Sequence, residues 1–160
     1  MEYPDGRQGF ISQDEAQKLS KWREKVGHDA ASILRTAHSM MGIPYMWGGT
    51  SPKGVDCSGF VRTVLYLHDI IIPRNASQQA KVGKRIQPQD DYADLQPGDL
   101  LFFGSKNQDG SPKRVVHVGI SLGGCRFIHS LGYVHTGSFN PLDADYDEYE
   151  RNRFLFAARI

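Results

Sequence analysis

The sequence predicts an α+β fold in which helices come first and an antiparallel sheet follows. Three observations carry that expectation. Apolar residues at helical spacing fall in the first half of the chain: Ala30, Ile33, Leu34, Ala37 and Met41 form one set, and Phe60, Val61, Val64 and Leu65 another. Strand-like runs fall in the second half, at 100–103, 115–122, 125–130 and 154–160. Turn residues such as PYMWGGTSPKG and QPGD separate these segments. A chain of 160 residues suits one domain, and an apolar fraction of 39% is ordinary for a globular one.

Each element has a local reason. Tyr3-Pro4-Asp5-Gly6 signals a turn before the short strand-like Gly9-Phe10-Ile11. Ser12 and Glu15 fit a capping box, which predicts a helix over 13–26 closed by Gly27. A second helix ends in the order Gly42 then Pro44. A third, mostly buried helix begins after Asp56, with Cys57 in its first turn. Ile70, Ile71 and Ile72 lead into Pro73, and the strands follow. KNQDGSPKR reads as a polar surface loop, and DADYDEYERN as a solvated acidic connection.

Charge and composition exclude several classes. With 19 basic and 18 acidic residues the net charge is +1, and no basic stripe points to nucleic acid. No run approaches the roughly 18 apolar residues of a membrane span, and MEYPDGRQGF has no signal-like apolar core. Two cysteines make no disulfide framework.

Cys57 lies in GVDCSGF, between an aspartate and a serine. In the first turn of a helix, unpaired N–H groups and the helix dipole favour a thiolate, and Asp56 suits the N-cap. Position alone equally allows a small buried hydrophobe. A nucleophile needs a base and a group to orient it. Of six histidines, His28, His38 and His68 read as surface or helix-end residues, and His135 falls in a glycine-containing loop. His117 differs, because it interrupts the alternation of Val116, Val118 and Ile120. If the hairpin turn centres on Gly123, His117 faces His129 directly. Val116, Val118, Ile120 and Ile128 then form a core face, and His117, Gly119, Phe127 and His129 a site wall. A two-residue Gly123-Gly124 turn would instead send the two histidines to opposite faces, and pattern alone allows both.

PYMWGGTSPKGVDCSGFV, LQPGDLLFF, HVGI and FIHS, in that order, resemble the NlpC-type cell-wall peptidases, papain-like cysteine hydrolases of bacteria. The match covers roughly 30–160. The resemblance implies a papain-like fold and a Cys-His-His site: Cys57 as nucleophile, His117 as base and acid, His129 orienting His117. It thereby favours the Gly123-centred register. It places Tyr45 beside the thiol as an oxyanion donor, and Asp56, Ser58, Ser77 and Trp47 among the substrate contacts, the first two gripping a free amino end. YPDGRQGFI resembles the last hairpin of a Src-homology-type β-barrel. Residues 1–11 are therefore expected to be the remnant of such a preceding domain, and 12–160 the peptidase domain. The implied activity is hydrolysis of the γ-D-glutamyl to diamino acid bond of peptidoglycan stem peptides or muropeptides through a thioester, with no cofactor. The implied location is the cell envelope, although some relatives recycle muropeptides in the cytoplasm.

Competing readings are a thiol amidase or acyltransferase with the same site, a non-catalytic wall-binding module, and a zinc site from Cys57, His117, His129 and Cys125. No C-x-x-C or H-E-x-x-H spacing supports the zinc site.

Overall fold

Leu100-Leu101-Phe102-Phe103 is apolar without interruption, the signature of a strand covered on both faces. In the computed structural model, which describes residues 2–160, this run opens β4 (Leu100–Lys106) near the middle of a six-stranded sheet. Two ribbons precede it: the pair β1 (Thr50–Ser51) and β2 (Gly54–Val55), and the edge strand β3 (Lys84–Ile86). After it come β5 (Pro112–Gly123), β6 (Arg126–Leu131), β7 (Tyr133–Ser138) and β8 (Phe154–Arg159). The sheet order is β3-β8-β4-β5-β6-β7, antiparallel at every pair.

The helices are α1 (Leu19–Arg23), α2 (Ala30–Ser39), α3 (Cys57–Tyr66), α4 (Ala76–Gln79) and α5 (Glu148–Arg153). The α2 and α3 helices start where aspartates cap them: Asp29 accepts from Ser32 N–H and Asp56 from Gly59 N–H. Their apolar faces, with Ile33, Ala37, Phe60, Val61 and Val64, pack on Leu100, Phe102, Val118, Ile120 and Ile128 of the sheet. The opposite face holds a second, aromatic cluster of Leu101, Phe103, Phe127, Phe139 and Phe154. Fold class and the four predicted strands agree with this architecture.

Several local expectations do not. The capping-box helix over 13–26 shrinks to α1, because Ser12 Oγ donates to Asp14 and no side chain caps Lys18 at the true N-cap. Its exposed residues pack on nothing that would prolong it, and a helix so short has little stability of its own. Residues 2–8 form a small turn bridged between Glu2 and Gln8, while Phe10 stands fully exposed. Met1, the first residue of the expected barrel remnant, lies outside the described residues. Val116, expected in the core, is 42% exposed, because a bulge between β4 and β5 leaves it out of the pairing and breaks the alternation of faces. His68, read as a helix-end residue, follows α3 and is buried, bonded at 2.8 Å to Thr36 Oγ1 and also to the Gly27 carbonyl. Both cysteines are free, and Cys125 sits in the turn before β6 rather than in the strand.

The hairpin register matches neither alternative. Gly119 faces His129, Ile120 faces Ile128 and Ser121 faces Phe127; then a bulge brings Gly123 opposite Arg126. The turn is therefore Gly124-Cys125. Neighbouring segments fix it: Gly124 N–H donates to the Leu95 carbonyl at 3.1 Å, and Gly123 N–H to Ser121 Oγ at 3.0 Å. Relative to the Gly123-centred register, β6 slides by two residues. A slide of two preserves the faces where a slide of one would exchange them. His117 and His129 consequently share a face, diagonally rather than directly opposed.

Gly59, in the first turn of α3, allows a close backbone approach. A Cβ there would come within 2.0 Å of the Gly49 carbonyl oxygen, so the PYMWGGTSPKG loop lies hard against α3. Gly59→Ala is expected to lower stability by at least about 3 kcal/mol, because backbone rather than a flexible side chain must move. Thermal unfolding checks this; an unchanged Tm would show that the loop withdraws freely.

Candidate functional site

Cys57, buried in the first turn of α3, lines a cleft of about 580 Å³ together with Tyr45, Trp47, Asp56, Ser58, Ser77 and His117. Every side chain expected at the site borders this cleft except His129, which stands behind His117. The backbone amides of Val118, Ser58 and Cys57 itself favour a thiolate, as the helix start predicted. Burial outweighs them, however, and with the Asp56 charge it pushes the thiol above its ordinary value. At rest Cys57 is a thiol, and it would need a base to act as a nucleophile.

The candidate for that base is a histidine pair, of which His117 borders the same cleft. His117 Nε2 and His129 Nδ1 share a hydrogen bond of 2.9 Å. With Nε2 so committed, Nδ1 is the nitrogen of His117 left to accept the thiol proton, which requires Nε2–H to donate to His129. Burial first, with Arg153 and His135 for one ring and His117 and His135 for the other, pushes both imidazoles well below their ordinary value. Both are neutral at rest. His129 is fully enclosed, its ring 5.1 Å from Phe127 and 4.5 Å from His135. Gly119 makes that packing possible, since a Cβ there would lie 3.2 Å from the His129 Cβ.

Glu150 escaped the sequence reading. The segment DADYDEYERN is not a solvated connection: its C-terminal part enters α5, and Glu150 is completely buried with Oε1 3.8 Å from His117 Nε2. Arg153 donates to the same oxygen at 2.9 Å. Burial raises the Glu150 carboxyl to about 7 although Arg153 opposes it, and Asp147 adds to the rise. A cationic His117 would find its counter-charge here. Nothing in an alternation of acidic and polar residues marks which one turns inward.

His117, His129 and Glu150 also offer ligand atoms within 4.8 Å of one another, in a grouping different from the zinc set considered above. One atom of each is already engaged, in the histidine pair and with the Arg153 guanidinium, whereas Glu150 Oε2 and His129 Nε2 have no hydrogen-bond partner among the described residues.

Arg74 was missed too. Its NH1 reaches Asp56 Oδ1 at 3.0 Å and Ser58 Oγ at 3.0 Å, and its NH2 reaches Asp56 Oδ2 at 2.6 Å. Asp56 accepts further from Gly59 and Gly48 N–H. Burial alone would raise the Asp56 carboxyl, but Arg74 and these amides hold it below the usual carboxylate range. A substrate amino end meets Asp56 and Ser58 only in competition with Arg74. Gln79, fully buried, donates to the Ser58 and Pro73 carbonyls and ties α4, which carries the exposed Ser77, to the start of α3. Burial, then Cys57 and Asp56, push the Tyr45 phenol up, so its hydroxyl stays a donor at neutral pH. Trp47 stands 88% exposed at the rim.

These shifts carry a pH signature. Unfolded histidines bind protons below about pH 6.5, which the folded pair resists, so the unfolded state holds more protons there. Stability must then fall as pH drops through that range. Glu150 acts with the opposite sign, retaining a proton in the folded state up to about 7 that an unfolded carboxyl has lost. Two imidazoles outweigh one carboxyl, and Tm is expected to fall between pH 7 and 5. His129→Gln should flatten that slope; a Tm that is level or rising in both proteins would show the histidines titrating normally.

A thiol at a helix start and a hydrogen-bonded histidine pair on the adjoining sheet, meeting at one cleft, form the architecture of a thiol hydrolase. The chain belongs to the NlpC/P60 family, whose model matches residues 42–154. It is 38% identical over 121 residues to a γ-D-glutamyl-L-lysine dipeptidyl-peptidase of Bacillus subtilis, covering 76% of this chain and 37% of that protein. It is 43% identical over 101 residues to a probable endopeptidase, NlpC, of Escherichia coli, covering 62% and 60%. Among solved structures, an NlpC/P60 family protein from Bacillus cereus superposes with a TM-score of 0.70 at 29% identity, covering 86% of this chain and 42% of that one. The NlpC/P60 domain of the peptidoglycan hydrolase SagA gives 0.65 at 32% identity, covering 82% and 99%. The chain thus spans little more than a third of the Bacillus subtilis peptidase.

Proposed function

We propose that the chain is a cysteine endopeptidase that cleaves the γ-D-glutamyl to diamino acid bond of peptidoglycan stem peptides or muropeptides. The observation that carries this reading is the shared cleft of Cys57 and His117, backed by His129, in a chain so similar to enzymes named for that bond. His117 Nδ1 takes the thiol proton as Cys57 Sγ attacks the γ-carbonyl carbon. The Tyr45 hydroxyl and backbone N–H groups receive the charge on oxygen. The C–N bond breaks, the amine leaves with the proton held by His117, and a thioester remains. Water, deprotonated by His117, then releases the glutamyl acid and the thiol. His129 holds the His117 ring, and Glu150 balances its transient charge.

Within this proposal Ser77 and Trp47, with Asp56 and Ser58 bridged by Arg74, contact the peptide from the walls of the cleft. Residues 1–11, with Phe10 and Ile11 exposed, belong to a preceding barrel-type unit. The substrate places the enzyme at the cell envelope, or in the cytoplasm if it recycles released muropeptides. No helix among the described residues is long and apolar enough to cross a membrane.

Mass spectrometry of defined muropeptides incubated with the protein tests the reading. Cleavage on the carboxyl side of γ-D-glutamate is expected. Cleavage only at the sugar-to-alanine amide would make it an amidase, and transfer of the glutamyl group to an added amine in preference to water an acyltransferase.

A further inference from the structure

The charge lining the cleft is unbalanced. Three guanidinium groups border it, from Arg74, Arg114 and Arg153, against one carboxylate, Asp56. Arg74 is matched to Asp56 through NH1 and NH2. Arg153 is held by Glu150 through NH1 alone, with its guanidinium 4.4 Å from the Tyr149 ring centroid. Arg114 has no side-chain partner among the described residues. A guanidinium carries five N–H donors, so Arg153 keeps most of its own free and Arg114 all of them. Counting Glu150 behind Arg153 as a second anion still leaves one cation uncompensated. Arg114 and His117 lie on the same strand, β5, and both line the cleft.

A γ-linked glutamyl residue retains its α-carboxylate, a few bonds from the carbonyl that is attacked. A diamino acid of the diaminopimelate type carries a second carboxylate on the other side of the scissile bond, where a lysine side chain carries only an ammonium. Both carboxylates are planar two-oxygen acceptors, the groups that a guanidinium engages with paired hydrogen bonds. The unmatched cations in this cleft favour such a group and disfavour an extra ammonium.

We propose that Arg114, with Arg153 beside it, forms a carboxylate-binding subsite, so that the enzyme selects stem peptides with a free carboxylate flanking the scissile γ-amide over their carboxamides. This deepens the endopeptidase reading above and rests on it. The subsite adds no chemistry to the hydrolysis; it orients the peptide by the one feature that amidation removes.

Four synthetic stem tetrapeptides test the proposal: D-glutamate with its α-carboxyl free or amidated, each joined to lysine or to diaminopimelate. Wild-type kcat/KM is expected to favour a free carboxylate by about 10- to 100-fold, the range that charge-assisted hydrogen bonds supply. Arg114→Gln, a change at an exposed position, should bring the ratio near one and reduce its salt dependence. If the preference follows glutamate amidation the α-carboxylate is the ligand; if it follows the diamino acid, the second carboxylate is. Cleavage of all four at similar rates overturns the subsite and leaves the endopeptidase standing. If none is cleaved the endopeptidase reading falls, and titration of the same peptides into Cys57→Ala protein still decides the subsite. Tighter binding of the carboxylates, lost on adding Arg114→Gln, supports it; equal Kd values overturn it.

Discussion

Cys57→Ala is expected to lower turnover by on the order of 10⁴- to 10⁶-fold, the scale at which loss of a covalent nucleophile shows in comparable hydrolases. It should do so with little change in stability. Alanine suits the first turn of α3, and Asp56 keeps its capping bond to Gly59 N–H. Cys57→Ser should be nearly as inactive. Burial already pushes the thiol above its ordinary value, and a hydroxyl in the same surroundings ionises far less readily. Steady-state turnover with a thermal melt as control reads both variants. Wild-type turnover in either would remove Cys57 from the chemistry.

His129→Ala carries the second large effect, a fall in kcat of roughly 10²–10⁴. It acts through His117, whose Nε2 loses its only hydrogen-bond partner among the described residues, so that the ring is held less firmly. Complete burial between Phe127 and His135 adds a packing penalty of about 1–3 kcal/mol. His129→Gln separates the two effects. Its amide oxygen can accept from His117 Nε2–H, so it should restore at least about tenfold of the lost kcat. A stable, fully active His129→Ala would leave the site with two residues rather than three. Truncating the hairpin neighbours does not discriminate between the registers. Ile128 and Phe127 are both fully buried, on opposite faces of the sheet, and each alanine variant is expected to cost about 2–5 kcal/mol.

The parts of the fold legible in the sequence are those whose signal is local. Asp29 and Asp56 stand directly before their helices, Ile33 and Ala37 or Phe60 and Val64 repeat at helical spacing, and Leu100 to Phe103 is apolar throughout. Cys57 was legible because a turn-rich loop gives way to a helical pattern at that residue, and His117 because it breaks an alternation. What stayed hidden depends on contacts distant in sequence. The hairpin register is set by the Leu95 carbonyl, which no residue of the hairpin announces. The β7 strand reads YVHTGS, with His135 and Gly137 diluting its alternation, and it is held by pairing with β6 along its whole length. The α5 helix is polar throughout, and only its tertiary position makes Glu150 an interior residue. Arg74 follows a proline outside any periodic segment, so its approach to Asp56 leaves no trace in the pattern.

The placement of β8 has a consequence for biosynthesis. This strand, last in sequence among the six, is threaded between β3 and β4 instead of being added at an edge. During N-to-C synthesis the sheet cannot close until Phe154–Arg159 has left the ribosome, and pairings of such wide sequence separation form slowly. The helix bearing Glu150 immediately precedes that strand. A nascent chain therefore exposes its thiol well before it has an assembled proton relay. The site proposed above is thus incomplete until the last strand of the sheet has emerged.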